Sequence, residues 1–435
     1  MRLIIKGGLV ADPLGKGLEI ADVVTEEGRV VSVGAPGGRE TGDPDTVVID
    51  ARDKVVLPGL VDAHTHLREP GQEYKEDIAS GTAAAALGGY TTIACMPNTD
   101  PIIDDRTGIE FILRRAAEAG RVNVVPIGAV TKGQKGLELA EMGDMAAAGA
   151  VAFSDDGHPV GNAEVMRCAL EYAKMFGRPI IDHCEDQELF NEGVMHQGYW
   201  STVLGLRGIP AAAEEVQVAR DLILAARTGG RLHLTHLSTA GSMDLLRWAK
   251  EKGIRVTADV TPHHLVLTDE AVRRLDYDTN TKVNPPLRSG RDVEALLTAL
   301  QAGLIDLIAT DHAPHHFDDK DVEFNYAAFG IVGLETAVGL VVTNLVVPGR
   351  LDWLGVARLM SLHPSRLLGL ESKGSLCVGA DADITIIDPK AEWTVAPEEF
   401  ASKSRNTPLG GMSLRGKVTA TIVGGRPVVL DGKLV

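Results

Sequence analysis

Two histidines one residue apart, His64 and His66, close the apolar run KVVLPGLVDA, and Arg68 follows two residues later in HTHLREPG. Alternate residues of a strand face one side, so the two imidazoles share a face and can grip one metal ion. The planar guanidinium beyond them suits bidentate capture of a carboxylate. Further polar side chains end other apolar runs: Asp155 and Asp156 after AVAFS, His183 after RPIID, His236 after RLHLT and Asp311 after IDLIAT. Imidazole nitrogen and carboxylate oxygen suit zinc and related divalent ions, and catalytic sites leave a coordination position open for water. Four histidines and two acids exceed the needs of one such ion. With a carboxylate shared between them they suffice for two, which can activate water near neutral pH and polarise a carbonyl. A lone histidine at a strand end is usually a hydrogen-bonded structural residue. The recurrence at five strand ends carries the metal reading. His158, His196, His233, His263, His264, His316 and His363 gain nothing from it and read as structural or solvated. Asp155 also reads as a loop cap, since Asp-Asp-Gly is a turn signal.

These residues need a scaffold that brings strand ends together. From about residue 55 to 311, short apolar runs alternate with Ala-, Leu- and Glu-rich stretches of helical period, as in repeated strand–helix units with a parallel sheet. Eight strands are expected, near 55–63, 90–96, 122–130, 150–156, 178–184, 231–237, 254–260 and 305–311. The fold class is therefore α/β, a (β/α)8 TIM-like barrel, whose chemistry sits where strands enter their C-terminal loops. The chain ends differ: residues 1–54 and 372–435 are rich in Val and Ile with turn signals such as EEGR, VGGR and LDGK. They are expected to form one small composite β-sandwich, leaving 55–371 as the barrel.

Composition narrows the function classes. A hydrophobic content of 44% with 24% charged residues is ordinary for a globular chain, and no apolar run approaches the roughly 20 residues that span a bilayer. The N-terminus MRLIIKGGLV reads as a first strand without an export signal. Cys95, Cys168, Cys184 and Cys377 are widely spaced, which suits reduced thiols and a cytoplasmic location. A formal charge of −17 repels phosphate backbones and anionic lipid, excluding nucleic acid and membrane as partners. A small anionic substrate then needs a local basic residue.

VDAHTHLREPG, MPNTDP, FSDDG, DHCED, THLST, VNPPLR, ATDHAPH and FGIVGLET together resemble the class I bacterial dihydroorotases of the amidohydrolase superfamily, over the barrel and both flanks. HxH alone is common to many amidohydrolases; HLREPG with MPNT and TDHAPH is far more specific. The resemblance implies reversible cyclisation of N-carbamoyl-L-aspartate to L-dihydroorotate in pyrimidine synthesis. It implies two zinc sites per chain, the second partly occupied: His64, His66 and Asp311 at one ion, His183 and His236 at the other, Asp156 bridging. Asp311 is also the implied general acid/base, working with a zinc-activated hydroxide. By the same resemblance Arg68, Asn98 and His315 hold the substrate carboxylate, Asn284 contacts the ring, and Phe329 and Gly330 lend backbone contacts. One departure stands out: the family pattern APFG reads AAFG here, with Ala328 in place of proline.

A hydantoinase or allantoinase is the nearest enzymatic alternative. Those families usually bridge their metals with a carboxylated lysine after strand four, and no lysine lies between Lys135 and Lys174. A non-catalytic scaffold for aspartate transcarbamoylase is the other; such a chain is expected to lose metal ligands, and His64, His66, Asp156, His183, His236 and Asp311 are all present. Assembly with that transcarbamoylase and a homodimer both stay open as partner states.

Overall fold

The computed structural model describes residues 1–37 and 46–435, so the stretch 38–45 of the expected terminal module lies outside the described residues. The eight expected barrel strands form one parallel eight-stranded sheet in sequential order: Leu60–Thr65, Tyr90–Cys95, Asn123–Gly128, Ala152–Phe153, Ile180–Asp182, Leu232–Leu234, Val256–Val260 and Leu307–Ile308. The ends of this sheet meet above the last strand, where Thr65 bridges His312 and the His66 amide donates to the His312 carbonyl at 2.9 Å. Val61, Ala94, Ile127, Ala152, Ile181 and Leu307, drawn from strands all round the sheet, pack in one cluster with Leu367 and Leu368. Contacts across the barrel make its interior a packed plug rather than a pore, so the chemistry is confined to the strand ends above it. Helices wrap the outside through a second, larger cluster that includes Leu60, Ile78, Ile109, Met166, Leu222 and Leu246.

The expected run 55–63 is two strands. Val55–Pro58 pairs with Leu9–Val10 and, antiparallel, with Ile384–Ile387, while Leu60–Thr65 enters the barrel. Gly59 is the joint: a Cβ there would lie 2.2 Å from Thr91 Oγ1, so only glycine lets the chain pass from one sheet to the other. Strands from both chain ends join Val55–Pro58 in a single nine-stranded sheet, with its own core of Leu3, Ile5, Val23, Val56, Ile384 and Ile422. That sheet anchors the first barrel strand, and so the HxH pair, from outside. Among the described residues no helix is long and apolar enough to cross a membrane. All four cysteines are free, Cys95 and Cys184 buried.

Candidate metal centre and active site

His64, His66, Asp156, His183, His236 and Asp311 come from five barrel strand ends and meet in one buried cluster, none more than 5% exposed. His64 Nε2 lies 3.4 Å from Asp156 Oδ2 and 3.4 Å from Asp311 Oδ1. His66 Nε2 lies 3.4 Å and 3.1 Å from the same two oxygens. A tetrahedral ion with bonds near 2.1 Å requires ligand atoms about 3.4 Å apart. The four nitrogen–oxygen separations, 3.1–3.4 Å, are close to that spacing. On the other side, Asp156 Oδ1 stands 3.4 Å from His236 Nε2 and 3.6 Å from His183 Nδ1, themselves 3.0 Å apart. The two oxygens of Asp156 thus face two separate imidazole pairs, the geometry of a bridging carboxylate.

Charge and hydrogen bonding agree with a cation here. Among the described residues, His64 Nε2, Asp156 Oδ1 and His236 Nδ1 are buried without hydrogen-bond partners, a costly state that bound cations would relieve for the first two. Burial works against the charged form of His64, but Asp156 and Asp311 outweigh it and raise the imidazole to about 9. Burial likewise opposes the Asp156 carboxylate, yet His64, His183 and His236 hold it well below the usual range. Asp311 is lowered in the same way, against burial, by His64 and His66. In each case the cluster concentrates negative charge and protonates an imidazole to balance it, the place a divalent ion would take. A further buried group, Asp182, Cys184 and Asp221, is no match: Arg220 sits 2.8 Å from Asp221, and burial with Asp182 beside it pushes Asp221 well up.

A second layer fixes the imidazoles of the cluster, and sequence reasoning missed it. Thr235 Oγ1 donates to Asp259 Oδ2 at 2.9 Å, which uses its only proton, so at 2.8 Å it must accept from His64 Nδ1–H. Nδ1 therefore carries a proton, and Nε2, facing the carboxylates, is the nitrogen that a bound cation would leave bare. Asp259 also accepts from His236 N and bonds His233 Nε2, each at 2.8 Å. The only signal was a polar residue inside apolar barrel strands, Thr235 in RLHLTHL and Asp259 in TADV. His66 is set by Asn98, whose Oδ1 accepts from His66 Nδ1 at 2.9 Å while its Nδ2 reaches the Asp156 carbonyl at 3.5 Å. Asp155 turns away from the cluster and takes the amides of Val130 and Thr131 at 2.8 and 3.1 Å, as a loop cap does.

The expected substrate side chains line the rim. Arg68 is buried, which lowers it to about 10 and leaves it charged at neutral pH. Its Nε donates to the Pro314 carbonyl at 3.1 Å and its Nη2 points to His315 Nε2 at 3.3 Å. Burial, with Arg68, Lys320 and Lys75 nearby, pushes His315 down to about 2, so it is a neutral imidazole that accepts from Arg68. Among the described residues its Nδ1 and Asn284 Oδ1 are buried without a hydrogen bond, the Nδ1 lying 3.6 Å from Asp319 Oδ2. Asn284 Nδ2 stands 3.5 Å from His183 Nε2. Phe329 is half-buried, and Gly330 (φ +150°) admits no side chain, because a Cβ would lie 2.8 Å from the Ala313 carbonyl oxygen and 2.9 Å from His315. Arg68, His236 and Asp311 all hold left-handed backbone, φ 58°, 39° and 48°, a strain that collects where geometry is imposed for function.

Comparison with known proteins places this geometry. A family model described as Dihydro-orotase-like matches residues 53–242, and one described as Amidohydrolase family matches 210–429. A dihydroorotase of Pelotomaculum thermopropionicum is 58% identical over 431 residues, 99% of each chain. One of Acetivibrio thermocellus is 52% identical over the whole of both chains. Among solved structures, an L-hydantoinase (dihydropyrimidinase) from Arthrobacter aurescens superposes with a TM-score of 0.90 at 26% identity, covering 100% of this chain and 97% of that one.

Proposed function

The chain belongs to the dihydroorotase family of amidohydrolases, and from that premise we propose that it interconverts L-dihydroorotate and N-carbamoyl-L-aspartate. It is a metal-dependent cyclic amidohydrolase acting on a small molecule. The observation that carries the substrate is Arg68, a buried guanidinium beside neutral His315 at the edge of the carboxylate–imidazole cluster: a carboxylate on the ring is what such a group is placed to hold. The L-hydantoinase superposes closely but at 26% identity, and the strand-four loop of this chain offers Asp156 rather than a lysine.

His64, His66 and Asp311 would hold one zinc ion and His183 and His236 a second, with Asp156 able to offer one oxygen to each. Bound there, the ions supply Lewis acidity toward water and toward a carbonyl oxygen. The protein does the rest. Arg68, Asn98 and His315 hold the substrate carboxylate, Asn284 offers its free Oδ1 to the ring, and Phe329 and Gly330 close over it. Asp311, kept ionised by the imidazoles around it, takes the proton of the attacking water and returns it to the ring nitrogen as the amide opens. In the cyclising direction the same carboxylate removes the proton from the carbamoyl nitrogen and gives it to the departing water. The reading includes residues 1–54 with 372–435 as the supporting module, 55–371 as the barrel and a cytoplasmic location; assembly with aspartate transcarbamoylase or as a homodimer is what sizing the chain with and without that partner decides. The test of the activity is ring opening by the purified chain, with L-dihydroorotate favoured over dihydrouracil by at least about 100-fold in kcat/KM, the value of a charged pairing. Equal rates on the two rings would refute it.

A further inference from the structure

Two lysines in the mouth of the barrel are buried against backbone rather than against acids. Lys282 is 3% and Lys320 6% exposed, and neither has a carboxylate within ion-pair distance among the described residues. Lys282 Nζ donates to the carbonyls of Phe324 at 2.9 Å and Asn325 at 3.0 Å, and lies 4.5 Å from the centre of the Phe329 ring. Lys320 Nζ donates to the carbonyls of Ala328 at 2.7 Å, Thr279 at 3.2 Å and Lys282 at 3.2 Å. All three protons of that ammonium are used, and its acceptors lie on two separate segments. The Gly330 amide completes the seam by donating to the Lys282 carbonyl at 2.9 Å.

Burying an ammonium without an anion is expensive, and an apolar side chain would fill the same space more cheaply. What the lysines supply is position. One segment leads from Thr279 through Lys282 to Asn284; the other runs from Phe324 to Gly330. Ala328, where the family pattern has proline, fits the same scheme: its amide donates to the Asp319 carbonyl at 3.0 Å, a bond proline cannot make, and its carbonyl is held by Lys320. The stiffness a proline ring would confer comes here from hydrogen bonds on both sides of residue 328.

We propose that Lys282 and Lys320 are positioning residues for the reaction, locking the Phe329–Gly330 loop to the segment that carries Asn284 so that both close on the substrate ring together. The proposal rests on the reading above that those three residues contact the substrate.

The test compares wild type with Lys320→Met, Lys320→Arg and Lys282→Met, each zinc-loaded, at pH 6. Burial lowers Lys320 to about 7 and Lys282 to about 8, so at that pH both carry their protons. In Lys320→Met and Lys282→Met, KM for L-dihydroorotate should rise about 10-fold or more with kcat within about 3-fold, the signature of lost binding rather than lost chemistry. Lys320→Arg, which keeps the donors, should recover most of that loss. Hydrogen exchange at the Ala328 and Gly330 amides should quicken at least about 10-fold in the Met variants, with barrel-strand amides and zinc content unchanged. Unaltered KM in a folded Lys320→Met protein, or faster exchange spread evenly over the barrel, would overturn the proposal. Should Lys320→Met fail to fold, Lys320→Gln, which retains two N–H donors, is read by the same criteria. A wild type that does not open dihydroorotate would sink the functional reading, while the exchange comparison still decides the clamp.

Discussion

Replacing Thr235 by valine tests whether the second layer sets the metal centre. Valine keeps the shape of threonine and removes one hydroxyl, which accepts from His64 Nδ1 at 2.8 Å and donates to Asp259 at 2.9 Å. Asp259 keeps the His236 amide and His233, so its loss is small. Among the described residues His64, 1% exposed, has no other hydrogen-bond partner for Nδ1–H. Without metal the variant has an escape, because His64 can give up its Nδ1 proton and keep the one on Nε2, which points at Asp156 and Asp311, 3.4 Å away. With metal bound that escape is closed: Nε2 must be bare, and Nδ1–H is left buried and unpaired at a cost of about 1–3 kcal/mol. The penalty therefore falls on binding, and zinc affinity should drop about 10–100-fold, the usual scale for losing such a partner. Zinc competition against a chromogenic chelator measures it, with Thr235→Ser, which restores the hydroxyl, staying within about 3-fold of wild type. A folded Thr235→Val protein that binds zinc within about 2-fold of wild type would refute the reasoning.

Asp311→Asn should retain substantial zinc by elemental analysis while turnover of dihydroorotate falls by at least about 10²–10⁴-fold, since a positioned acid/base is lost and metal orientation suffers with it; near-normal turnover would remove Asp311 from the chemistry. Arg68→Met should depress kcat/KM for dihydroorotate far more than for dihydrouracil, which lacks the carboxylate, and equal losses on the two would make Arg68 structural. Glu335, half-buried and raised by desolvation to about 7, holds a proton in the folded state that the unfolded chain releases near pH 4.5. Its ionisation therefore costs stability as pH rises between those values. Glu335→Gln loses one of the two backbone amides that the carboxyl oxygens accept, from Ala401 and Ser402, and so should lie below wild type in denaturant melts near pH 4, with the difference shifting in its favour by about 3 kcal/mol as pH rises above 7; a pH-independent difference would contradict the assignment.

The residues of the carboxylate–imidazole cluster were legible in the sequence by type and spacing. His64 and His66 follow from strand alternation, and His183, His236 and Asp311 from their place after apolar runs, because a barrel converts strand ends into one site. What escaped depends on neighbours across a parallel sheet. Thr235 touches His64 across 171 residues and Asp259 across 24, and no spacing rule links them. Gly59 was read within one continuous strand because its flanks are equally apolar; only the approach of Thr91 shows that the chain changes sheets there. Asn98 was legible as a polar residue of the site, yet its observed bond is to His66, which its position after CMP could not reveal. Lys282 and Lys320 left no trace in the pattern at all, since a lysine in a loop normally reads as solvated.

The most direct measurement strips the metal, removes carbon dioxide from the buffer, restores zinc alone and follows L-dihydroorotate opening with and without bicarbonate. A bridging lysine would need carbon dioxide to become a ligand, whereas Asp156 presents two oxygens as synthesised and faces an imidazole pair with each, at 3.4 Å to His64 and 3.4 Å to His236. The account predicts full recovery of dihydroorotate opening on zinc alone, unaffected by bicarbonate. No opening of dihydroorotate by the zinc-replete protein, or recovery only when bicarbonate is supplied, would contradict it.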